Sequence, residues 1–427
     1  MTFVDLGPKQ TAVGAEVPHV QQVPRILAIL PYPPNPLRPR TVSMISDLSS
    51  FAEIDLIYLD HGEILKLPSD ARIRTIRVVP NKAISRLLRI ALGCVQGKPI
   101  SYQYYFSREL AQHLESYDLS EYAAIFVERI PLNELDLDHP NVILDIADCN
   151  SYQVRQCADL WPGLRRYLYK FDALRIQKYE ANLCNRATKL MCTADRELQG
   201  FRSIGVKIPI AAVTHASNAV PRKRVKPRRG GKKLLTFHGK LSYIANQLAL
   251  ARISNEIVTG LNAAEYDVVV AGAGGDKLSR AFPNIRFLGY VDDISEFLGS
   301  GDLGVFPVEI SAGLSNKVIE CLATGVPVVV TPQLAAGLPD SDELLKTGII
   351  VSEVGGFCDA IQSHFELPEE LRDKIGDQCV EYVRRIQQPE RRRNFIRDFV
   401  FSIGTGGCDE GHQGSTGYFR NATRAES

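Results

Sequence analysis

One carboxylate follows a small-residue loop at a chemically useful spacing. In the run Pro307 to Thr331, PVEISAGLSNKVIECLATGVPVVVT, the loop Ser311, Ala312 and Gly313 leads into a helix start at Leu314, Ser315, Asn316 and Lys317. Glu320 stands seven residues after Gly313. The first N–H groups of a helix lack intrahelical acceptors, and the end carries about half a positive charge. They suit an anion such as a diphosphate. Glu320, about two turns on and on the loop's side of the helix, is placed to accept hydrogen bonds from sugar hydroxyls. An ordinary buried helix with one exposed acid would show the same spacing, so the surrounding elements decide.

A Gly-Val-Pro turn and the apolar run Val326 to Val330 follow, completing strand, loop, helix, turn and buried parallel strand. Upstream, KKLLTFHGKLSY (Lys232 to Tyr243) is a strand ending in Gly239 and Lys240. YDVVVAGAGG (Tyr266 to Gly275) is a strand running into a glycine turn, and NIRFLGYVDDISEFLGSGDLGVFPV (Asn284 to Val308) follows. Five elements in this order, over roughly Leu234 to Thr331, resemble the C-terminal half of glycosyltransferase family 4, the retaining sugar-nucleotide transferases of the GT-B fold. The resemblance implies an α/β protein of two Rossmann-like, doubly wound parallel-sheet domains facing a cleft. It implies a hexosyltransferase-type enzyme that takes a nucleotide sugar as co-substrate, with no other cofactor and no metal.

Carried over residue by residue, the resemblance makes Lys240 the pyrophosphate-binding cation and Glu320 the ribose-binding carboxylate, the two residues expected to carry the transfer. Gly239, Gly313, Leu314, Ser315, Asn316 and Lys317 complete the donor site. The family's first motif glutamate falls at Ala312, whose methyl accepts no hydrogen bond, and Glu309 is the substitute expected for it. The family's second basic residue is also missing from LSYIANQ. Asn246 stands there, either as a neutral amide contact or as a helix N-cap. His238, before Gly239, is expected to be structural.

The N-terminal half is expected to hold the acceptor. PYPPNPLRPR (Pro31 to Arg40) loosely resembles the first-strand loop of polysaccharide-biosynthesis members, which turns Arg40 or Arg38 toward the cleft. Glu128 and Arg129 follow the strand Ala123 to Val127, and Asp145 and Asp148 end another. Arg40, Glu128 and Asp148 are therefore the acceptor-side residues. Tyr102, Tyr104, Tyr105 and Phe106 could stack on sugar rings, although core packing is the expected role. The Asp-x-Asp runs at Asp136 to Asp138 and Asp340 to Asp342 lie in polar, turn-like sequence and are not expected to hold a metal.

The 427 residues exceed one ordinary core and suggest two domains. Hydrophobic residues at 45% and charged residues at 23% describe a globular chain, and a net charge of +1 argues against a nucleic-acid binder held by bulk electrostatics. No apolar window is long enough to span a membrane, and the first residues lack the pattern of a secretory leader. Nine cysteines without CxxC pairs suggest reduced thiols and a cytoplasmic location. The expected layout is a disordered 1–23, an acceptor domain 24–220, a basic linker 221–233, a nucleotide-sugar domain 234–388, a crossover helix 389–403 and a disordered tail 404–427. The linker, PRKRVKPRRGGKK, has eight basic residues in thirteen. It is a solvated hinge with peripheral contact to the inner membrane face as its sharper reading. Partners would be a nucleotide sugar and a sugar-containing or lipid-linked acceptor, with no nucleic acid. The competing readings are a non-hydrolysing sugar-nucleotide epimerase and a non-catalytic nucleotide-sugar-binding partner of a transferase.

Overall fold

The structure, a computed structural model, describes residues 23–35, 38–67, 69, 71–80, 82–99, 102, 105, 107–131, 135, 137–160, 164–214, 220–222, 231–311, 313–339, 348–402 and 419–422. In chain order the first half contains β1 (Arg25–Leu30), α1 (Pro39–Ser49), β2 (Glu53–Asp60), β3 (Ile73–Pro80), α2 (Ala83–Val95), α3 (Arg108–Leu114), β4 (Ala124–Glu128), β5 (Val142–Asp145), α4 (Asn150–Leu160), α5 (Leu164–Cys184), β6 (Lys189–Cys192), α6 (Asp195–Ser203) and β7 (Ile210–Val213). The second half contains β8 (Lys233–His238), α7 (Ile244–Arg252), β9 (Tyr266–Ala271), α8 (Gly275–Leu278), β10 (Arg286–Gly289), α9 (Ile294–Gly299), β11 (Leu303–Phe306), α10 (Asn316–Ala323), β12 (Val328–Val330), α11 (Pro332–Ala335), β13 (Ile349–Val351), α12 (Phe357–Glu366), α13 (Glu369–Ile386), α14 (Pro389–Phe401) and β14 (Phe419–Ala422).

The strands form two sheets, of order β14-β7-β6-β5-β4-β1-β2-β3 and β10-β9-β8-β11-β12-β13. Every strand pair is parallel except β14 on β7. Each order reverses direction once, between β1 and β4 in the first sheet and between β8 and β11 in the second. Such reversals open a crevice at the carboxyl ends of the strands, where doubly wound sheets bind ligands. In β1 the alternation is visible residue by residue: Leu27 and Ile29 enter one core cluster, Ile26, Ala28 and Leu30 the other. Both faces of this sheet are therefore covered, as the continuous apolar run RILAIL requires.

The crossover helix expected at 389–403 appears as α14, which closes at Phe401, and it crosses back to the first sheet. Ile396, Phe399 and Val400 of α14 pack in the cluster formed by β1, β2 and α1. Arg392 makes a two-pronged bridge to Asp47 of α1, at 2.7 and 3.0 Å, with both side chains buried. At the far end Lys189 donates to the carbonyls of Val400 and Ser402, at 2.8 and 2.7 Å. A cation on the last carbonyls of a helix satisfies acceptors that would otherwise be stranded. Burial lowers the Lys189 pKa to about 8.

Two expectations change here. Phe419–Ala422, inside the segment read as a disordered tail, adds an antiparallel edge strand to β7. Lys233, read as linker, is already the first residue of β8. Residues 1–22, 223–230, 403–418 and 423–427, like Asp136, Asp340 to Asp342, Tyr104 and Phe106, lie outside the described residues. No described helix is long and apolar enough to cross a membrane.

Replacing Asp47 by Asn should leave the Arg392 charge buried without its counter-ion. Breaking one side of a buried pair costs about 3–5 kcal/mol. A lowered thermal midpoint by calorimetry is expected, with a smaller loss in an Asp47→Leu, Arg392→Leu double variant.

Candidate functional site

Two clusters face each other across the domain boundary. The first lies at the switch point of the second sheet. His238 ends β8, and its Nε2 meets Oε2 of Glu320 on α10 at 2.8 Å. Gly239 follows with φ +144°, and a Cβ there would stand 2.9 Å from Asn246 Nδ2 and 3.6 Å from Lys317 Nζ. Only glycine permits both that backbone and that approach. Asn246, buried on α7, donates through Nδ2 to the Lys240 carbonyl at 2.8 Å and accepts through Oδ1 from Lys317 Nζ at 2.5 Å. It is thus a cross-link between two cations' segments, and α7 begins earlier, at Ile244, without a side-chain cap. Burial lowers the Lys317 pKa to about 8, with Glu320 opposing the shift. Lys240 itself is exposed.

The second cluster belongs to the first sheet and shares a cavity of about 340 Å³ with the start of α10. Its walls include Arg38, Glu128, Arg129, Asp148 and Thr193 from one domain and Leu314 and Asn316 from the other. Glu128 is buried, and its Oε1 accepts from Tyr32 Oη at 2.6 Å and Thr41 Oγ1 at 2.9 Å. Its Oε2 is buried with no hydrogen-bond partner among the described residues. Burial, reinforced by Asp145, raises the Glu128 pKa to about 6. Arg129 is held at φ +54°, a conformation uncommon for a side-chain-bearing residue and often found at functional sites. Arg38 lies 3.5 Å over the Tyr32 ring and pairs with Glu63 at 2.6 Å. At the α10 end, Ser315 Oγ and Asn316 Oδ1 are also buried without partners. Buried polar atoms are normally satisfied, so two orphans on residues that line one opening, Glu128 and Asn316, mark a place built for a polar ligand.

The boundary is pinned through Gly313. Its N–H donates to Glu197 Oε1 of α6 at 2.9 Å, while Glu197 Oε2 accepts from the Cys149 N–H at 2.8 Å. Arg196 donates to the Gly313 carbonyl at 3.2 Å and to the Gln333 carbonyl at 2.8 Å. Gly313 adopts φ +59°, and a Cβ there would collide with Asp148 Oδ1 and come within 2.9 Å of Thr193 Oγ1. The loop therefore needs glycine for its backbone and for the closeness of the opposite domain. Burial raises the Glu197 pKa, although its two N–H partners pull the other way.

Gly239, Asn246, Lys317 and Glu320 thus come together, and Gly313, Leu314, Ser315 and Asn316 join them to Glu128 and Asp148. Two expected residues are engaged elsewhere. Arg40 lines the cavity, but its guanidinium is committed inward, to Asp145 at 2.9 and 2.5 Å and to the carbonyls of Val213 and Cys192. It braces the ends of β5, β6 and β7 and has little left to offer an acceptor. Glu309 is paired with Arg252 at 2.9 Å, because Arg252 closes α7 beside the loop. Ala312 lies outside the described residues. Tyr102 is buried on Glu180 at 2.5 Å, a packing role. Glu197 and Arg196 escaped the sequence reading, since no local pattern links them to a loop 116 residues away. His238 had a detectable signal, its place before Gly239.

Residues 232–366 match the family model described as glycosyl transferases group 1. No curated protein sequence matches the chain significantly. Among solved structures, HepE of Anabaena, crystallised with UDP and glucose, superimposes with a TM-score of 0.58 at 13% identity, covering 88% of this chain and 99% of that one. Sucrose-phosphate synthase of Thermosynechococcus elongatus gives 0.60 at 9% identity, over 88% and 98%. The UDP-forming α,α-trehalose-phosphate synthase of Burkholderia vietnamiensis gives 0.56 at 13%, over 88% and 99%. At such identities the likeness is one of fold, and the fold is GT-B. The matched segment adds support for a glycosyltransferase.

Two outcomes follow from this geometry. Glu197→Ala strands two buried N–H groups, each costing about 1–3 kcal/mol, one of them in the other domain. Small-angle scattering should show a larger radius of gyration for the variant, the domains having lost their pin. Glu128→Gln bears on pH. A carboxyl whose folded pKa is raised from 4.5 to about 6 stabilises the fold only while protonated, so stability should fall as pH rises across that interval. The Gln variant keeps an Oε1 acceptor for Tyr32 and Thr41, and its thermal midpoint should lack that decline and exceed wild type at pH 8.

Proposed function

We propose that this chain is a retaining, hexosyl-type glycosyltransferase of family 4 that moves a sugar from a nucleoside diphosphate sugar to an acceptor hydroxyl in the interdomain cleft. What carries the reading is one juxtaposition. Gly239, Asn246, Lys317 and Glu320 converge at the second sheet's switch point, beside an open helix start that faces a cavity walled by the other domain. In this reading Glu320 accepts from the ribose hydroxyls, and His238 fixes its orientation. Lys240, Lys317 and the N–H groups of α10 meet the diphosphate, on which negative charge grows as the bond to the sugar breaks. Fixed donors aimed at such charge typically contribute 10²–10³ each in rate.

Atoms balance simply. The bond from sugar C1 to the phosphate oxygen breaks, its electron pair leaves on that oxygen, and the acceptor oxygen bonds to C1 on the same face. The acceptor proton goes to the departing phosphate, so no enzymic nucleophile or metal is needed. Glu128 and Arg129 flank the acceptor side, and the orphan Oε2 of Glu128 supplies an acceptor for an incoming hydroxyl. With Ala312 and the paired Glu309 offering nothing to the donor sugar, Asp148 and Thr193, packed against Gly313, are the polar groups assigned to it. The assigned setting is the cytoplasm, in polysaccharide biosynthesis, on a sugar-containing or lipid-linked acceptor. HepE was crystallised with UDP-glucose and with UDP, which favours a uridine donor among those to be tried. Ala312 favours one rival, a nucleotide-sugar binder without turnover.

Calorimetry with UDP and GDP should detect binding of one of them. Glu320→Ala should weaken it by about 1.5–3 kcal/mol, the worth of a charged hydrogen-bond acceptor, while leaving the thermal midpoint close to wild type. Unchanged affinity would remove Glu320 from the site. Turnover of a nucleotide-sugar panel, insensitive to EDTA and reduced more in kcat than in KM by Lys240→Ala, would separate the transferase from the silent binder.

A further inference from the structure

Helix α2 is oriented against expectation for a globular protein. Its apolar residues Ile84, Leu87, Leu88, Leu92 and Val95 recur at helical spacing, and they point to solvent, with exposures between 61% and 88%. Arg86, Arg89, Ile90 and Gly93 lie on the inner side and are partly or wholly buried. Arg86 donates to His61 Nδ1 at 3.1 Å, and His61 in turn donates through Nε2 to the Pro31 carbonyl at 2.9 Å. The helix is thus tied to the protein by its polar side. An exposed apolar stripe of this kind along one helix marks an interaction site.

Charge identifies the occupant. Residues 71–108 carry eight Lys and Arg and no Asp or Glu, in a chain whose net charge is only +1. Arg74, Arg77 and Lys82 are exposed. A second copy of this chain would set the same basic surface against itself, since a two-fold interface pairs a patch with its own image, and like charges would oppose it. An apolar helical stripe bordered by cations matches a bilayer bearing anionic headgroups, with the stripe in the acyl boundary and the cations among the phosphates. We propose that the apolar stripe of α2, with its flanking cations, forms the surface by which this protein docks on an anionic lipid bilayer. The site differs from the basic linker that the sequence alone suggested. It also lies close to the cleft. His61 stands two residues before Glu63, which holds Arg38 on the cavity wall. Docking does not depend on the chemistry proposed for that cleft.

The test is flotation of the purified full-length chain with vesicles of phosphatidylcholine alone or mixed with phosphatidylglycerol. Wild type should float with the mixed vesicles, weakly or not at all with the neutral ones, and less as salt is added. Leu88→Asp/Leu92→Asp, a change at two exposed positions, should cut the bound fraction about tenfold or more while circular dichroism and nucleotide affinity stay at wild-type values. Equal flotation of the double variant, or no flotation of wild type with anionic vesicles, would overturn the proposal. So would a wild-type dimer in solution that the same substitutions dissociate, since the stripe would then be covered by a second copy.

Discussion

The main-chain atoms of one glycine join the two halves of this molecule. Gly313 gives its N–H to Glu197 and takes a hydrogen bond from Arg196 on its carbonyl. Both partners belong to the opposite domain, and Gly313 directly precedes the open start of α10. The cavity lined by Glu128 from one domain and Asn316 from the other presupposes that contact. Backbone groups are obligatory hydrogen-bonders when buried, so a loop pinned through its backbone is fixed whatever its side chains are. Evolution can change the residues around Gly313 without moving it.

The two sides of the cleft differ in electrical character. On the side of the second domain, cations dominate: Lys240 is exposed, and Lys317 is buried enough to lose part of its hold on a proton. On the other side, carboxylates and arginines neutralise one another, Arg40 with Asp145 and Arg38 with Glu63. Glu128 remains as a carboxyl that burial makes reluctant to ionise. Such a division suits a reaction in which one partner carries two phosphates and the other only hydroxyls.

Much of the second domain was legible in the sequence because its signals are local. A strand ending in Gly-Lys, a glycine turn and a helix with one carboxylate each occupy fewer than about ten residues, and they meet because a parallel sheet brings strand ends together. The crossover helix was anticipated as well, and α14 fills most of its expected range. The interdomain contacts were illegible because they pair residues more than a hundred positions apart, with nothing in either segment to announce the other. Arg40 shows the complementary failure. Its place beside the cleft was anticipated, but the commitment of its guanidinium to Asp145, Val213 and Cys192 depends on three other strands. Helix α2 was missed for a different reason: its periodicity says which residues share a face, and only the fold says which way that face looks.

The return of α14 to the first sheet has a consequence for how the chain is made. The strands of that sheet emerge from the ribosome early, yet one of its faces is covered by Ile396, Phe399 and Val400, and its edge is completed by Phe419–Ala422. Domains generally fold as units during synthesis, the N-terminal one first. Here the domain begun first is finished last. While the whole second domain is being translated, the apolar surface awaiting α14 stays open, an exposure of the kind that favours aggregation of nascent chains.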